Sequence, residues 1–375
     1  MCVRIADVTM DVIRETDRLG AAFIGGGFMA EVHSRAARAA RADLVAGASS
    51  SPSSALRAAE TLGLDRAYDS LAELVAADDV DIVHVCTPNA THAEIALAAL
   101  EAGKHVICEK PLATNSADAE RLVARAGELG LVGTVPFVYR YHPMVREARA
   151  RVARGELGTL LSLSGAYLQD WLLSDADDDW RVDTASGGPS RAFADIGSHL
   201  CDLIEFVSGD RISRLAAVTR TVFRDRAQHR DISTEDIAGV VVQTAGGAIG
   251  TLLVSQLAPG RKNRLTFELS GSDASVAFDQ ENPELLWLGR RDASGLLLRD
   301  PATLAPDAAR ISVLPAGHPM GYQDAFNAFV ADSYDLVRGE QPEGVPVFAD
   351  GLRAVRLTEA VLASAASGEW IEVAS

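Results

Sequence analysis

The sequence predicts an α/β protein of two domains: a parallel sheet flanked by helices, then an α+β domain with a large, mainly antiparallel open sheet. The first prediction rests on short apolar strands that alternate with helices between Ala21 and Tyr141. The second rests on successive strands joined by tight glycine turns, such as "AGGA" at 245–248. A chain of 375 residues can also bury two cores. We therefore predict an N-terminal extension, a first domain and a second domain over 1–20, 21–141 and 142–375.

The elements of the first domain follow from apolar runs, polar helix starts and glycine stops. Buried strands are predicted where short apolar runs end at glycine, serine, proline or charge, over 21–27, 42–49, 80–88, 104–111 and 131–139. Helices are predicted where alanine-rich segments follow a serine, asparagine or threonine, over 30–40, 51–63, 70–77, 90–103 and 115–130.

In the second domain strands follow one another with few helices between them. A helix over 143–155 precedes a strand over 159–169 and an acidic, tryptophan-containing loop over 170–183. After a helix over 197–208, strands are predicted over 214–223, 236–245, 248–258, 263–272, 274–279 and 284–289. Two further helices are predicted over 321–338 and 348–367.

The bulk properties exclude several classes of function. The formal net charge of −17 argues against nucleic acid or an anionic membrane as the main partner. The four cysteines (Cys2, Cys86, Cys108, Cys201) show no CxxC spacing, which favours a reducing cytoplasm and no metal site. No apolar run reaches the roughly 18 residues of a membrane helix, and the charged residues 1–20 lack a signal core. We therefore expect a cytoplasmic protein.

A glycine-rich turn closes the first strand. "GGGFMA" fits G-x-G-x-x-[G/A] with Gly25, Gly27 and Ala30, where glycine permits a sharp turn and close approach of backbone to a pyrophosphate. The following helix offers free N–H groups to the phosphates. The sequence therefore predicts a Rossmann dinucleotide-binding domain.

The ends of the next two strands leave alternatives open. The second strand ends in Ser49, Ser50 and Ser51 with no carboxylate for a ribose 2′-hydroxyl, and Arg57 lies in the next helix. These serines could donate to a hydroxyl or a phosphate, or merely cap the helix. NAD is slightly favoured, but NADP stays open. The third strand ends in "CTPNATH", which could contact a ligand or cap a helix.

Two sets of titratable residues are candidates for chemistry. Glu109 and Lys110 place opposite charges at the end of a buried strand. Asp195 and His199 are four residues apart, so that on a helix they share a face, as a base and its orienting carboxylate would. Asp202 could orient the ring instead, and a capping aspartate with a packed histidine is the structural alternative.

With "GGGFMA", "CTPNATH", "CEKP" and "DIGSH" in this order, the chain after residue 20 resembles the Gfo/Idh/MocA oxidoreductases. The resemblance implies that Lys110, Asp195 and His199 are catalytic, and that the Lys110–Pro111 bond is cis. The cofactor-binding residues it implies, together with those of the strand ends above, are Gly25, Gly27, Phe28, Met29, Ser49, Ser50, Thr87, Pro88, Asn89, His92, Glu109, Lys110, Trp180 and Arg181.

"YLQDW", "WR" and "GRKN" are most similar to the sugar-dehydrogenase branch that includes levoglucosan dehydrogenase. This likeness implies that Tyr139, Gln169 and Trp171 face the substrate, beside Lys110, Asp195 and His199. Trp171 would offer an apolar face to a pyranose ring. The alternative for Trp171 is a place at the domain seam or in an oligomer contact.

The resemblance implies an NAD(P)-dependent dehydrogenase that oxidises, or in reverse produces, a secondary alcohol on a sugar, anhydrosugar or cyclitol ring. His199 is the expected base, with Asp195 holding its ring; Lys110 would hydrogen-bond the reacting oxygen, or be the base itself. One alternative is an NAD-dependent glycosidase of the same fold. The other is a non-catalytic nucleotide-binding regulator, and the presence of Lys110, Asp195 and His199 together argues against the regulator. The open sheet has a face to cover, which favours a homodimer or homotetramer.

Overall fold

The computed structural model describes residues 18–374, so that most of the predicted N-terminal extension, with Cys2, lies outside the described residues. Six parallel strands form the first sheet in the order β3-β2-β1-β4-β5-β6. The strands are β1 (Gly20–Ile24), β2 (Asp43–Ala48), β3 (Arg66–Ala67), β4 (Ile82–Val85), β5 (His105–Cys108) and β6 (Gly133–Thr134). This is the strand order of a dinucleotide-binding sheet: successive strands are added toward one edge from β1 to β3 and toward the other edge from β4 to β6, so the order reverses between β1 and β4.

Five helices connect these strands and cover both faces of the sheet. They are α1 (Phe28–Ala39), α2 (Pro52–Leu62), α3 (Leu71–Val75), α4 (His92–Glu101) and α5 (Ser116–Leu129). Polar side chains start three of them: Ser51 accepts the N–H of Ser54 before α2, Ser70 accepts that of Glu73 before α3, and Asn115 accepts that of Asp118 before α5. Buried alanines on α1 let it lie close to β1, as the small residue at the third motif position requires.

Nine strands form the second sheet, in the order β14-β13-β12-β11-β7-β10-β9-β8-β15. β7 and β10 run parallel and every other neighbouring pair is antiparallel. The strands are β7 (Leu160–Leu168), β8 (Ile212–Arg220), β9 (Ile237–Thr244), β10 (Ile249–Ser255), β11 (Arg264–Gly271), β12 (Ser275–Asp279), β13 (Leu285–Gly289), β14 (Ser294–Leu298) and β15 (Ile371–Glu372).

One face of this second sheet packs on helices and the other is open. The remaining helices are α6 (Pro143–Ala153), α7 (Thr184–Gly187), α8 (Ser198–Ser208), α9 (Pro306–Arg310), α10 (Tyr322–Val337) and α11 (Phe348–Ser367), and a π-helical turn over Phe193–Gly197 leads into α8. Leu200, Leu203 and Ile204 of α8 pack into the core beneath β7 and β11. On the open face, Val218 and Leu253 lie opposite Gly239 on either side of β9 and are exposed.

The last two helices return to the first sheet. Phe326, Phe329 and Tyr334 of α10 share a buried cluster with Phe23 and Ile107. Residues of α11 pack in the same way against β5 and the chain after β6. Two helices of the second half of the chain, α10 and α11, therefore pack against the first sheet. A division of the chain at residue 141 assigns them to the second domain alone.

The predicted strand over 131–139 is wrong beyond Thr134. Only Gly133 and Thr134 pair with β5, and the chain then forms a 3₁₀ turn over Val138–Tyr141. Pro136 has no N–H to donate to a neighbouring strand, which explains why pairing does not continue. Within residues 18–374, no helix is long and apolar enough to cross a membrane.

Candidate active site

A cavity of about 1080 Å³ lies between the carboxyl edge of the parallel sheet and the second sheet. The chain leaving β1, β2, β4 and β5 forms one side of it, because parallel strands present their carboxyl ends at a common edge. β7, the π turn and the loop before β11 form the other side. Of the predicted site residues, all but Trp171 line this cavity.

The glycine turn fits a dinucleotide. Gly25 has φ +104°, and a Cβ there would lie 2.4 Å from the carbonyl oxygen of Cys86, so that only glycine is accommodated. Gly27 has no atom within 4 Å of a notional Cβ, which leaves open space in front of the backbone. No side chain caps the start of α1, so its first N–H groups remain available to an anion. The turn and the helix end thus suit a pyrophosphate.

Of the three serines after β2, one caps a helix and two line the cavity. Ser51 caps α2 together with Ser54, as the structural alternative for this residue predicted. Ser49 and Ser50 line the cavity, whereas Arg57 is exposed and is not part of its wall.

Residues after β4 hold the loops around the cavity together. The Asn89 side-chain amide donates to the Gly187 carbonyl oxygen at 2.9 Å, which ties this loop to α7. The buried His92 ring lies between the carbonyl oxygens of Pro111 and Thr87, at 2.7 and 2.8 Å. Both ring nitrogens therefore face backbone, and His92 connects the ends of β4 and β5.

Lys110 and Asp195 form an ion pair in the wall of the cavity. The Lys110 ammonium donates to Oδ1 of Asp195 at 2.5 Å and to its carbonyl oxygen at 3.0 Å. The side-chain amide of Gln256 donates to Oδ2 at 2.8 Å, and Nε of Arg181 lies 3.7 Å from Oδ1. Burial alone would raise the pKa of Asp195, but Lys110 and Arg181 outweigh it and hold that pKa well below its usual range. The Lys110–Pro111 bond is cis, as the resemblance implied.

Glu235 fixes the turn that carries Asp195. Its Oε1 atom accepts the Ser190 hydroxyl and the backbone N–H groups of Arg191 and Phe193, at 2.7, 3.1 and 2.8 Å. A carboxylate at this position satisfies N–H groups at the start of a helical segment. The π turn that follows is a feature often found at functional sites.

His199 lies beside the ion pair without a hydrogen bond to it. Its Nδ1 atom is buried and has no hydrogen-bond partner among residues 18–374. Burial, and then the nearby Lys110 cation, lower the pKa of His199 to about 3, so the ring is neutral at ordinary pH. Asp195 acts on this ring through space alone. Asp202, the other candidate for orienting it, instead accepts both Nε and Nη2 of Arg140.

A network of hydroxyl and amide groups covers the second-sheet side of the cavity. Oδ1 of Asn263 accepts the Tyr167 hydroxyl at 2.7 Å and the Gln169 amide at 2.9 Å. The Asn263 amide in turn donates to the Tyr139 hydroxyl at 3.0 Å. Donors and acceptors close together on one wall suit a ligand with several hydroxyl groups.

The two tryptophans lie in different surroundings. Trp180 lines the cavity and stacks under the Arg181 guanidinium, 4.5 Å from ring to cation. Trp171 lies outside the wall, 36% exposed, and its indole N–H donates to Oε1 of Gln169 at 2.7 Å. In this conformation Trp171 positions a wall residue instead of facing the cavity.

Several residues of the site were not singled out from the sequence. Gln256 follows an apolar strand, and a buried amide after such a strand is the signal that could have found it. Asn263 and Lys262 lie in the quoted "GRKN" segment, and Tyr167 in "YLQDW", but none was assigned a role. Tyr322, at the start of α10, approaches the cavity from far along the chain, and no local pattern predicts that.

Comparison with known proteins identifies both halves of the chain. The model described as "Oxidoreductase family, NAD-binding Rossmann fold" matches residues 19–137, and that of the "GFO/IDH/MocA C-terminal domain" matches residues 145–277. Levoglucosan dehydrogenase of Pseudarthrobacter phenanthrenivorans is 29% identical over 388 residues, which cover 95% of this chain and 98% of that protein.

Solved structures agree over nearly the whole chain. The oxidoreductase domain protein from Kribbella flavida is 35% identical with a TM-score of 0.88, over 96% of this chain and 100% of that one. An inositol dehydrogenase homologue from Azotobacter vinelandii, complexed with NAD⁺, is 29% identical with a TM-score of 0.87. The match covers 96% of this chain and 98% of that one. Because the matches extend over both sheets and the cavity between them, this chain belongs to the Gfo/Idh/MocA family of oxidoreductases.

Proposed function

We propose that the chain catalyses the reversible oxidation of a secondary alcohol on a sugar, anhydrosugar or cyclitol ring, with NAD or NADP as the hydride acceptor. The observation that carries the proposal is that Lys110, Asp195 and His199 line the same cavity as the glycine turn. The relatives named above, a levoglucosan dehydrogenase and an inositol dehydrogenase homologue, support a ring alcohol as the substrate.

The cofactor is held by residues at the carboxyl edge of the parallel sheet. The N–H groups at the start of α1 would bind the pyrophosphate, and Ser49 and Ser50 would hydrogen-bond the adenosine ribose. When bound, the cofactor would supply the acceptor for the hydride that leaves the carbinol carbon.

Lys110 binds the reacting oxygen. An ammonium group has three N–H donors, and two of them are directed at Asp195. The third is free to donate to the substrate hydroxyl, or to the carbonyl oxygen that forms from it. A positive charge at that oxygen stabilises negative charge that develops there during proton loss.

His199 takes the hydroxyl proton. Its lowered pKa of about 3 leaves the imidazole neutral at ordinary pH, so the ring can accept a proton, but the same low pKa makes it a weak base. The ionised Asp195 stabilises the imidazolium that results, through space and not through a hydrogen bond. Lys110 remains the alternative base, since it lines the same cavity.

NAD is the preferred cofactor in this proposal. The chain after β2 contributes Ser49 and Ser50 to the wall, and Arg57 lies outside it, so a 2′-phosphate would meet no cation among the described residues of this segment. The NAD⁺ complex of the Azotobacter homologue supports the same preference.

The open face of the second sheet is proposed to pair with a second copy. Val218 on β8 and Ile249 and Leu253 on β10, the two strands that flank β9, expose 72, 59 and 46% of their surface. Apolar side chains gathered on one sheet face are typical of an interface. Sedimentation analysis should give a homodimer or homotetramer, and a monomer at all concentrations would contradict this part of the proposal.

A substrate screen tests the function. Pyranoses, anhydrosugars and inositols are each incubated with NAD or NADP, and formation of the reduced cofactor is followed. We expect net reduction with at least one ring alcohol. Hydrolysis of a glycoside without net reduction would contradict the proposal and indicate a glycosidase instead.

A further inference from the structure

A buried row of four side chains connects Glu109, which follows β5, to α10. Oε1 of Glu109 lies 3.1 Å from Nε2 of His33, whose Nδ1 lies 2.9 Å from Nδ1 of His84. Nε2 of His84 lies 2.8 Å from the hydroxyl oxygen of Tyr334. His33, His84 and Tyr334 are fully buried and are not part of the cavity wall, whereas Glu109 lines the cavity. The proposed reaction has no role for the first three.

The tyrosine at the end determines where each proton lies. Among the described residues the Tyr334 hydroxyl has one hydrogen-bond partner, Nε2 of His84. Burial raises the pKa of Tyr334, so the phenol keeps its proton, and a buried O–H must donate to that nitrogen. Burial also lowers the pKa of His84, so this ring is neutral and carries its single proton on Nδ1.

The remaining protons follow in sequence. Nδ1 of His84 donates to Nδ1 of His33, which must therefore be an acceptor and carry its proton on Nε2. That Nε2–H donates to Glu109, which accepts as a carboxylate. A protonated Glu109 would reverse all three bonds, and the Tyr334 hydrogen would then have no acceptor. A protonated His33 fails for the same reason.

We propose that His33, His84 and Tyr334 are positioning residues that hold Glu109 ionised and oriented beside Lys110. The other carboxylate oxygen of Glu109 accepts the backbone N–H of Lys110 at 3.0 Å, so the network reaches the catalytic lysine through its main chain. A tyrosine outside the cavity would thus set the protonation state of a cavity carboxylate.

The other groups that face Glu109 do not replace this network. The cations are Lys110 and Arg181, which favour the carboxylate. Burial raises the pKa of the two thiols and the phenol and lowers that of the His199 imidazole, so these groups are neutral: Cys86, Cys108, Tyr322 and His199. His92, whose ring lies between two carbonyl oxygens, acts on the pKa of Glu109 in the same direction as the two cations. Burial by itself would raise the pKa of Glu109, and the His33 hydrogen bond is the largest influence that lowers it.

Nitrogen NMR of the protein without cofactor or substrate tests the proton positions. In protein labelled with ¹⁵N-histidine we expect His84 protonated on Nδ1 and His33 on Nε2, assigned through His33→Gln and His84→Gln variants. The opposite tautomers, or a doubly protonated His33 at neutral pH, would overturn the proposal. This measurement needs no variant of Tyr334 and no activity, so it stands or fails separately from the proposed function.

The second test is Tyr334→Phe, which removes the fixed donor and leaves the ring. Carbon NMR of the Glu109 carboxyl should show its titration moved up by roughly one pH unit, the effect of losing one hydrogen bond to a charged group. The acid limb of kcat/KM should move by the same amount; this part rests on the proposed function. The matched control is Tyr141→Phe, another buried tyrosine of the same cluster that is not part of the row. Identical titrations in the two variants would contradict the proposal.

Discussion

Nζ of Lys110 lies 2.5 Å from Oδ1 of Asp195, and the two residues come from opposite sides of the cavity. Lys110 follows β5 of the parallel sheet, whereas Asp195 lies in the π turn before α8. The pair therefore joins the two parts of the fold at the point where chemistry is proposed. It also leaves one lysine proton free for a substrate oxygen.

Removal of the lysine charge should abolish most activity. Lys110→Met is expected to lower kcat by roughly 10²–10³-fold, because the developing charge on the substrate oxygen loses its donor. Lys110→Arg should retain part of the rate, since a cation remains. Initial rates with the best substrate of the screen measure both variants. The control is Lys104→Met, whose ammonium donates to the Ala77 carbonyl outside the cavity wall. A Lys110→Met enzyme within threefold of the wild type would be incompatible with this role.

Gln256 should act through Asp195. In Gln256→Leu the carboxylate loses the donor at Oδ2, so its orientation is less fixed and its pKa rises. We expect kcat to fall about tenfold, which corresponds to ~1.4 kcal/mol. Gln280→Leu is the matched control, because it too removes an amide with a buried, unpaired Oε1, and no hydrogen bond of the described residues joins Gln280 to Asp195. Equal rates in the two variants would show that the Gln256 contact is not used.

The protein should lose stability as the pH falls from about 6.5 to about 4. Burial lowers the pKa of His142 to about 4 and, with Lys110, that of His199 to about 3. In this window the unfolded chain binds protons at these rings and the folded chain does not, so the free energy of unfolding decreases with decreasing pH. Each ring contributes up to about 1.4 kcal/mol per pH unit. The stabilising effect of ionised Asp195 is lost only at lower pH, since the pKa of Asp195 is depressed.

Urea unfolding at several pH values measures this dependence. His142→Asn should reduce the slope of the free energy of unfolding against pH by the equivalent of about one bound proton, because Asn does not titrate. Asn is also tolerated at the helix start where His142 lies. A stability that is constant between pH 7 and 5 would contradict the buried, neutral state of these histidines.

A carboxylate after β2 should alter cofactor choice. Ser49→Asp places a negative charge in the wall where a ribose is proposed to bind, and it would repel a 2′-phosphate. The ratio of kcat/KM for NAD to that for NADP should rise at least tenfold. Ser53→Asp adds the same charge on the exposed side of α2 and should leave the ratio unchanged. If the two variants give the same ratio, Ser49 does not contact this part of the cofactor.

Most of the fold could be predicted from local patterns. The parallel sheet follows from apolar runs that end at glycine or charge, and the family membership inferred from four short motifs is confirmed. Strand pairing could not be predicted in the same way: the parallel contact of β7 with β10 joins strands far apart in sequence, and alternation does not report the neighbour of a strand. The short strands β3 and β15, with two residues each, carry too little pattern to be recognised.

In the candidate site, too, residues in local motifs could be predicted, whereas contacts between distant segments could not. Lys110, Asp195 and His199 were singled out because they lie in motifs, and the structure brings all three to one cavity. The partner of Asp195 was not foreseen, since spacing along the chain suggested His199 whereas the carboxylate contacts Lys110 and Gln256. Gln256 and Tyr334 depend on contacts between distant segments, which a single sequence does not encode in any local signal.

The most direct test of the central claim follows a hydride from substrate to cofactor. The best ring alcohol of the screen, deuterated at the carbinol carbon, is incubated with oxidised cofactor and either wild-type or Lys110→Met protein, and the cofactor is analysed by mass spectrometry. We predict one deuterium in the reduced cofactor per ketone formed by the wild type, and at most about one hundredth of that rate with the variant. Unlabelled cofactor from the wild type, or labelled cofactor formed equally fast by both proteins, would contradict the account.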